Sequence, residues 1–316
     1  MTEDARRSRD AAVRERRGGS KRRFVRIALA AVRRTHVVGT GPLVTVVIPT
    51  YNWSSVLRCA IESVRRQTYR DWELIVIGDG CTDDSERTVA SFDDSRIRWK
   101  NLHQNSGSQT APNNAGIEHA QGTYVAYLGH DDVWFPDHLA RLVAAAETAG
   151  AGLAVSTCLS LGLPRSNIRW LQPGSGFPQG GSVAPSAVMH RRDLVAEVGG
   201  WRDYRELSEP PDVEFVARLA ATPLGWTETN VLTVCKFNSA LRPNSYRECR
   251  SDEQQQALRR LSSPRLFSLR LLAHVAWLRV LRLDERPPAS AEPPVEVPPG
   301  WYVNEWRRIR GLEPLD

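Results

Sequence analysis

Three short stretches place polar or acidic side chains directly after apolar runs. Asp79 stands in Gly78-Asp79-Gly80-Cys81-Thr82-Asp83-Asp84, after the run 73–77. Asp131 and Asp132 stand in Gly129-His130-Asp131-Asp132, after the run 123–128. Residues 49–53 follow the run 43–48 in the same way. A carboxylate beside a uracil ring accepts its imide N–H. A carboxylate pair in an otherwise neutral cleft is suited to a hard cation such as Mg2+ or Mn2+, bound through oxygen. Such an ion neutralises a diphosphate that an acidic site would otherwise repel.

The elements that must position these groups are legible as patterns. The β-branched run 43–48 reads as a buried strand. Residues 54–67 carry Val56, Leu57, Ala60, Ile61 and Val64 at helical spacing. Further strands are expected at 73–77, 96–102, 123–128, 153–158 and 227–237, and further helices at 85–92, 113–121, 136–149 and 212–221. A βα pattern is expected at 186–198. Strands alternating with helices predict βαβ units around a mostly parallel sheet, whose ligands bind at the carboxyl ends of the strands. Residues 162–182, rich in Pro and Gly, read as a loop. From 246 two helical patterns break at Pro264, followed by a Pro-rich linker at 287–300 and a short segment with Trp301 and Trp306.

Composition excludes several classes. With 41% hydrophobic and 25% charged residues, the chain of 316 residues is globular. It lacks the roughly 18 uninterrupted apolar residues of a membrane span. Five scattered cysteines without a CxxC pair argue against a disulfide scaffold and a structural zinc site. With no apolar stretch of the signal-peptide kind at the start, the expected compartment is the cytoplasm. The net charge of +6 divides unevenly. Residues 1–34 hold 12 Lys and Arg against 4 Asp and Glu, so the remainder is mildly acidic. Residues 1–40, including Arg6, Arg7, Arg9, Arg16, Arg17, Lys21, Arg22 and Arg23, read as a disordered basic arm. An anionic membrane surface is the partner such an arm attracts, at about 1 kcal/mol per basic residue. Residues 265–283, apolar with interspersed arginines, read as a packed helix or as one lying on that surface. This expectation extends localisation to the inner face of the plasma membrane. One aromatic residue in the arm, Phe24, is too few for nucleic-acid stacking.

The motifs together resemble glycosyltransferase family 2. They are Val46-Val47-Ile48-Pro49-Thr50-Tyr51-Asn52, Ala60-Ile61-Glu62-Ser63-Val64 with Gln67-Thr68, Trp72 through Asp84, Asn113-Asn114-Ala115-Gly116-Ile117 with Ala120-Gln121-Gly122, and Tyr127 through Leu139. The resemblance is strong over 43–145 and patchier to 236. It implies a GT-A fold at 41–240, with a nucleotide-binding half at 41–150, an acceptor half at 151–240 and a helical C-terminal extension at 241–316. It also implies a nucleotide-diphosphate sugar donor (UDP by family habit), a divalent Mg2+ or Mn2+ ion, and inversion at the anomeric carbon. The acceptor it implies is a glycan, a lipid-linked molecule or a small molecule.

Residue by residue, Pro49, Tyr51 and Asp79 match positions that hold the donor's base. Asp131 matches the metal ligand, and Asp132 beside it is expected to assist in holding the ion. His130 sits where some members use a ribose-binding acid, and Asn113 where many have a nucleotide-contacting arginine. Aligned on Arg218, Asp212 matches the family's catalytic base, with Glu209 as the fallback. A positioned carboxylate there takes the acceptor hydroxyl's proton as the C–O bond forms. Two family acids are absent: Gly78 and Gly129 stand in their places. That absence motivates the alternative of a non-catalytic nucleotide- or glycan-binding module that kept the fold.

Overall fold

The computed structural model describes residues 27, 29–30, 40–161, 169–171, 183–239, 242–280, 294 and 296–315. In chain order, β1 (Val44–Thr50), α1 (Ser54–Arg65), β2 (Trp72–Gly78), α2 (Ser85–Ala90), β3 (Ile97–Asn101), α3 (Thr110–Glu118) and β4 (Tyr124–Tyr127) alternate. Then come β5 (Val133–Trp134), α4 (His138–Ala149), β6 (Leu153–Ser160), β7 (Arg169–Leu171), β8 (Val188–Arg191), α5 (Leu194–Val198), α6 (Pro211–Ala220) and β9 (Trp226–Lys236). The chain closes with α7 (Ser245–Glu248), α8 (Asp252–Arg260), α9 (Pro264–Val280) and α10 (Trp301–Arg310).

β1 and β2 are strands because stiff β-branched side chains fill both faces of a buried ribbon. α1 turns Val56, Leu57, Ala60, Ile61 and Val64 inward as one stripe. α4 stops at Gly150, whose left-handed φ of 60° closes its last turn.

The strands form one sheet in the order β3-β2-β1-β4-β8-β6-β9-β5, with β7 on the side of β6. This is an α/β fold with a central sheet flanked by helices. The expectation of a mostly parallel sheet holds from β3 to β4 and fails beyond it. β8 runs antiparallel to both β4 and β6, β5 antiparallel to β9, and β7 antiparallel to β6. β9 is parallel to β6. The βαβ pattern of the first half does not extend there because antiparallel neighbours need no crossover helix. β7 also lies inside the stretch read as a loop, pairing Cys158 with Leu171. The rest of that stretch, 162–168 and 172–182, is outside the described residues.

Two apolar clusters hold the sheet. The larger packs β1, β2, β4, β6 and β8 against α1, α4 and α6. The second gathers Val133, Phe135, Leu159, Leu232 and Phe237 with Leu258 and Leu261 near α8 and Phe267, Leu272 and Val275 of α9. Ile27 is helical and fully buried in this second cluster. At that residue the basic arm touches the body, because an apolar side chain gains by leaving water. The arginines and the lysine named in the arm lie outside the described residues, as do 287–293 and 295 of the Pro-rich linker. In the C-terminal segment, α8 and α9 pack in the second cluster, and α10 reaches the strand ends described below. Among the described residues no helix is long and apolar enough to cross a membrane.

Candidate active site

β1 and β2 end level with each other. Thr50 pairs with Gly78, and the Asp79 N–H donates to the Thr50 carbonyl at 2.8 Å. β4 ends beside β1, with the Leu128 N–H donating to the Val47 carbonyl at 3.0 Å. The three expected loops therefore leave one edge of the sheet, where they border a cavity of about 370 Å3. Pro49, Tyr51, Asp79, His130, Asp131 and Asp212 all line it. Most of the expected site is thus brought together. Asp132, Asn113 and Glu209 are not among the lining residues.

Asp79 is fixed by a turn that needs glycine. Gly80 has φ +71°, and a Cβ there would lie 2.5 Å from the Asn105 backbone nitrogen. The Asp79 carboxylate accepts from Asn105 Nδ2 at 2.9 Å and from the Ser106 N–H at 2.9 Å. Burial pushes its pKa up against the pull of these donors and of Arg307. The acid missing at Gly78 has a steric reason. A Cβ at Gly78 would collide with the Asn101 side chain and with the Trp99 ring. Asn101 uses that space to tie the turn, accepting from Cys81 N–H and donating to Cys81 O, both at 2.9 Å.

Asp131 and Asp132 have separate fates. Asp132 is fully buried behind the cavity. It accepts from the Ser186 hydroxyl and from the Phe237 N–H at 2.9 Å, and it pairs with Lys236 Nζ at 3.3 Å. Its oxygens are committed to the protein. Burial raises its pKa, with Lys236 opposing and Asp131 adding to the rise. Asp131 faces the cavity. Burial alone would raise its pKa, but Lys236, His130, Arg310 and the Ser239 hydroxyl hold it below the ordinary value. Lys236 stays charged although burial opposes it, because Asp132 and Asp131 flank it. A Cβ at Gly129 would lie 3.0 Å from Asp132 Oδ2 and 3.2 Å from Asp131 Oδ1. The two carboxylates fold back over the backbone where the family's first acid would stand.

Among the described residues, no three His, Cys, Asp or Glu side chains are arranged to cage a metal ion. Asp131 offers one carboxylate. Mg2+ and related ions are commonly held by one or two carboxylates together with substrate phosphates. The donor set therefore fits an ion that is completed by a diphosphate, and does not fit a cage made of protein alone.

His130 bonds Thr50 Oγ1 through Nδ1 at 2.8 Å and the Tyr246 hydroxyl through Nε2 at 3.0 Å. Both ring nitrogens are engaged, and burial lowers its pKa to about 4. The imidazole is neutral at physiological pH. Asn113 is fully buried, with neither side-chain polar atom hydrogen-bonded. Glu209 is exposed at the surface. Asp212, in the first turn of α6, has a buried Oδ1 without a hydrogen-bond partner. Burial raises its pKa, while Lys236 and the amides of Asp212 and Val213 oppose the rise.

Lys236, Tyr246, Arg307 and Arg310 are among the residues of this wall that sequence reasoning missed. Lys236 ends the apolar strand β9 and could have been found by the rule applied to the other strand ends. The other three carried no local signal. Tyr246 rests against Trp53, ring centroids 5.2 Å apart, and Tyr51, 6.3 Å apart. Arg307 donates to Asn105 Oδ1 at 3.1 Å, Gly107 O at 3.2 Å and Glu313 O at 2.7 Å.

Comparison with known proteins adds the family. Residues 45–188 match the model described as Glycosyl transferase family 2. The UDP-Glc:alpha-D-GlcNAc-diphosphoundecaprenol beta-1,3-glucosyltransferase WfgD of Escherichia coli is 36% identical over 97 residues, covering 31% of this chain and 38% of WfgD. The chain spans 40% or less of the length of the curated relatives it matches. The crystal structure of S. aureus TarS 1-349 in complex with UDP-GlcNAc is similar at TM-score 0.55 and 15% identity, over 84% of this chain and 81% of that one. The mannosyltransferase PcManGT from Pyrobaculum calidifontis, in complex with GDP-Man and Mn2+, is similar at TM-score 0.50 and 16% identity, over 85% of each chain. At such identities the solved structures bear on fold. The family match includes Asp79 and Asp131 and stops short of Asp212, Lys236 and α10. Through residues 45–188, just under half of its length, the chain is similar to glycosyltransferase family 2.

Proposed function

We propose that the protein is an inverting glycosyltransferase of GT-A type. It transfers a sugar from a UDP-sugar to a hydroxyl of a glycan or lipid-linked acceptor. The observation that carries this reading is the shared cavity of Asp79, Asp131 and Asp212. Asp79 and Tyr51 accept the base, Asp131 stands at the diphosphate, and Asp212 faces the acceptor. The acceptor oxygen attacks C1 on the face opposite the diphosphate. The C1–O bond breaks with its electron pair passing to the diphosphate, and the acceptor proton passes to Asp212. A carboxylate with one oxygen free of donors and a raised pKa is a stronger base than one saturated by donors. A Mg2+ or Mn2+ ion, held by Asp131 and the diphosphate, supplies positive charge to the leaving group when bound. Asp132, with its oxygens committed, supports Asp131 and Lys236, and exposed Glu209 takes no part. The similarity to WfgD, which takes UDP-Glc and a diphosphoundecaprenol-linked acceptor, supports a UDP-sugar donor and a diphospholipid-linked acceptor. Such an acceptor puts the reaction at the inner face of a membrane. The basic arm, and the exposure of Leu266 and Trp277 on α9 (49% and 55%), support that reading.

The test is UDP release from a panel of UDP-sugars by the wild-type chain and by Asp212→Asn. Release should drop at least about 100-fold in the variant, within the usual worth of general-base catalysis, while the donor still raises the melting temperature. The base works ionised, so wild-type turnover should fall on acidification through a pKa above the ordinary carboxylate 3.8. Donor binding without release from any UDP-sugar in the wild type favours the non-catalytic alternative.

A further inference from the structure

α10 ends in three arginines with three different surroundings. Arg308 faces solvent and pairs with Glu305. Arg307 is buried and spent on two carbonyls and the Asn105 amide oxygen. Arg310 lines the cavity, and its Nε is buried without a hydrogen-bond partner. Its guanidinium lies 5.8 Å from the Tyr246 ring centroid, a cation–π distance. Among the described residues it forms no ion pair. Tyr246 bonds His130, the neighbour of Asp131, so Arg310 stands over the side of the cavity where Asp131 lies. Lys236, the third cation of the cavity wall named here, is already paired with Asp132.

A phosphate entering this cavity needs positive charge from its walls. Asp79, Asp131 and Asp212 crowd the cavity, and a nucleoside diphosphate adds further negative charge. With one carboxylate available to a metal, the protein must supply part of the compensating charge from its own cations. A guanidinium offers a planar fork that matches two phosphate oxygens. We infer that Arg310 binds the diphosphate of the donor, so that α10, folded back from the far end of the chain, completes the nucleotide site. This inference rests on the UDP-sugar reading above and adds a phosphate ligand outside the segment matched to the family.

The test is titration calorimetry of the full chain in EDTA with UDP, uridine and inorganic pyrophosphate, for wild type, Arg310→Gln and Arg310→Lys. Melting temperatures of the free proteins show whether each is folded. Arg310→Gln should bind UDP roughly 10- to 100-fold more weakly, the usual worth of a charge-assisted hydrogen bond. Its affinity for uridine should stay within a factor of two, and pyrophosphate binding should weaken along with UDP. Arg310→Lys should recover part of the loss. UDP affinity unchanged in Arg310→Gln overturns the inference. So does an equal loss for UDP and uridine, which would make Arg310 a support for Tyr246 and the base pocket. If Arg310→Gln does not fold, Arg310→Lys decides by the same UDP-to-uridine comparison. A wild type that binds neither UDP nor uridine fails one step earlier, at the donor assignment itself.

Discussion

Asp132 and Asp131 are chemically identical neighbours, and their surroundings give them different work. Asp132 accepts from Ser186 and Phe237 and neutralises Lys236 in a buried setting. Its negative charge is what allows Lys236, with a side chain only 21% exposed, to stay protonated beside the cavity. Breaking such a pair from one side leaves a buried charge without its partner, whereas removing both partners together can be close to neutral. Asp132→Asn should therefore lower unfolding free energy on the order of 3 kcal/mol. The double variant Asp132→Asn/Lys236→Met should recover much of that loss. Urea unfolding of the four proteins in the cycle is the measurement. A double variant no more stable than Asp132→Asn would mean that the hydrogen bonds to Ser186 and Phe237, and not the ion pair, carry the cost. The same contrast explains why Asp131 is the group left to meet a ligand.

Among the contacts that seat α10, one buried side chain reaches the nucleotide half. Arg307 ties the helix to Asn105 and Gly107, and Asn105 in turn holds Asp79. Gly300, at φ 79°, starts the helix and donates its N–H to the Leu207 carbonyl at 2.9 Å. Arg307→Ala removes the charged donor and leaves the Asn105 and Gly107 oxygens to water. Hydrogen–deuterium exchange over 301–310 should then accelerate at least about tenfold, in line with charged hydrogen bonds of about 1.5–3 kcal/mol. Exchange should stay unchanged over β1 and β2. Unchanged exchange in α10 would show that apolar packing around Val303 suffices to seat it. This element marks the boundary of what the sequence discloses. β1, α1, β2 and β4 are readable because burial of a β-branched run or of an amphipathic stripe leaves a local periodic mark. From them the strand-end rule leads to Asp79 and Asp131. The antiparallel half leaves a weaker mark, since β5 is two residues long and takes its partner from β9. Arg307 leaves none: its partner Asn105 is 202 positions away, with a Pro-rich stretch between them. Pairing across such a span depends on the folded surface, and residue order alone does not encode it locally. Asp212 is an intermediate case. A carboxylate before an amphipathic helix reads as a cap, and that its Oδ1 is buried without a partner at the cavity appears only in the folded chain.

At the scale of the molecule, acid stability is a contest between opposed groups. His130 and His190 are both fully buried with pKa values lowered to about 4 by burial. Asp79, Asp132 and Asp212 are raised, also by burial. A histidine whose folded pKa lies below its unfolded value contributes stability above the unfolded pKa and loses it as pH falls toward the folded one. A carboxylate whose folded pKa is raised has the opposite effect, gaining relative stability on acidification. The overall profile between pH 4 and 6.5 is therefore a difference of large contributions, and a single group is best isolated by substitution. His190 suits this because it sits in the larger core away from the cavity. It bonds the Tyr127 hydroxyl at 2.8 Å, packs T-shaped with Phe215 at 5.7 Å between ring centroids, and has Asp193 as its charged neighbour. In His190→Gln the titrating group is gone. The stability of wild type relative to the variant should fall as pH drops from 7 to 4.5, approaching a change of about 3 kcal/mol at the lower limit. Urea midpoints for both proteins across that range provide the comparison. A constant difference would mean that His190 is protonated inside the fold as readily as in the unfolded chain. Burial between Tyr127 and Phe215 would then carry no desolvation cost, contrary to the packing seen there.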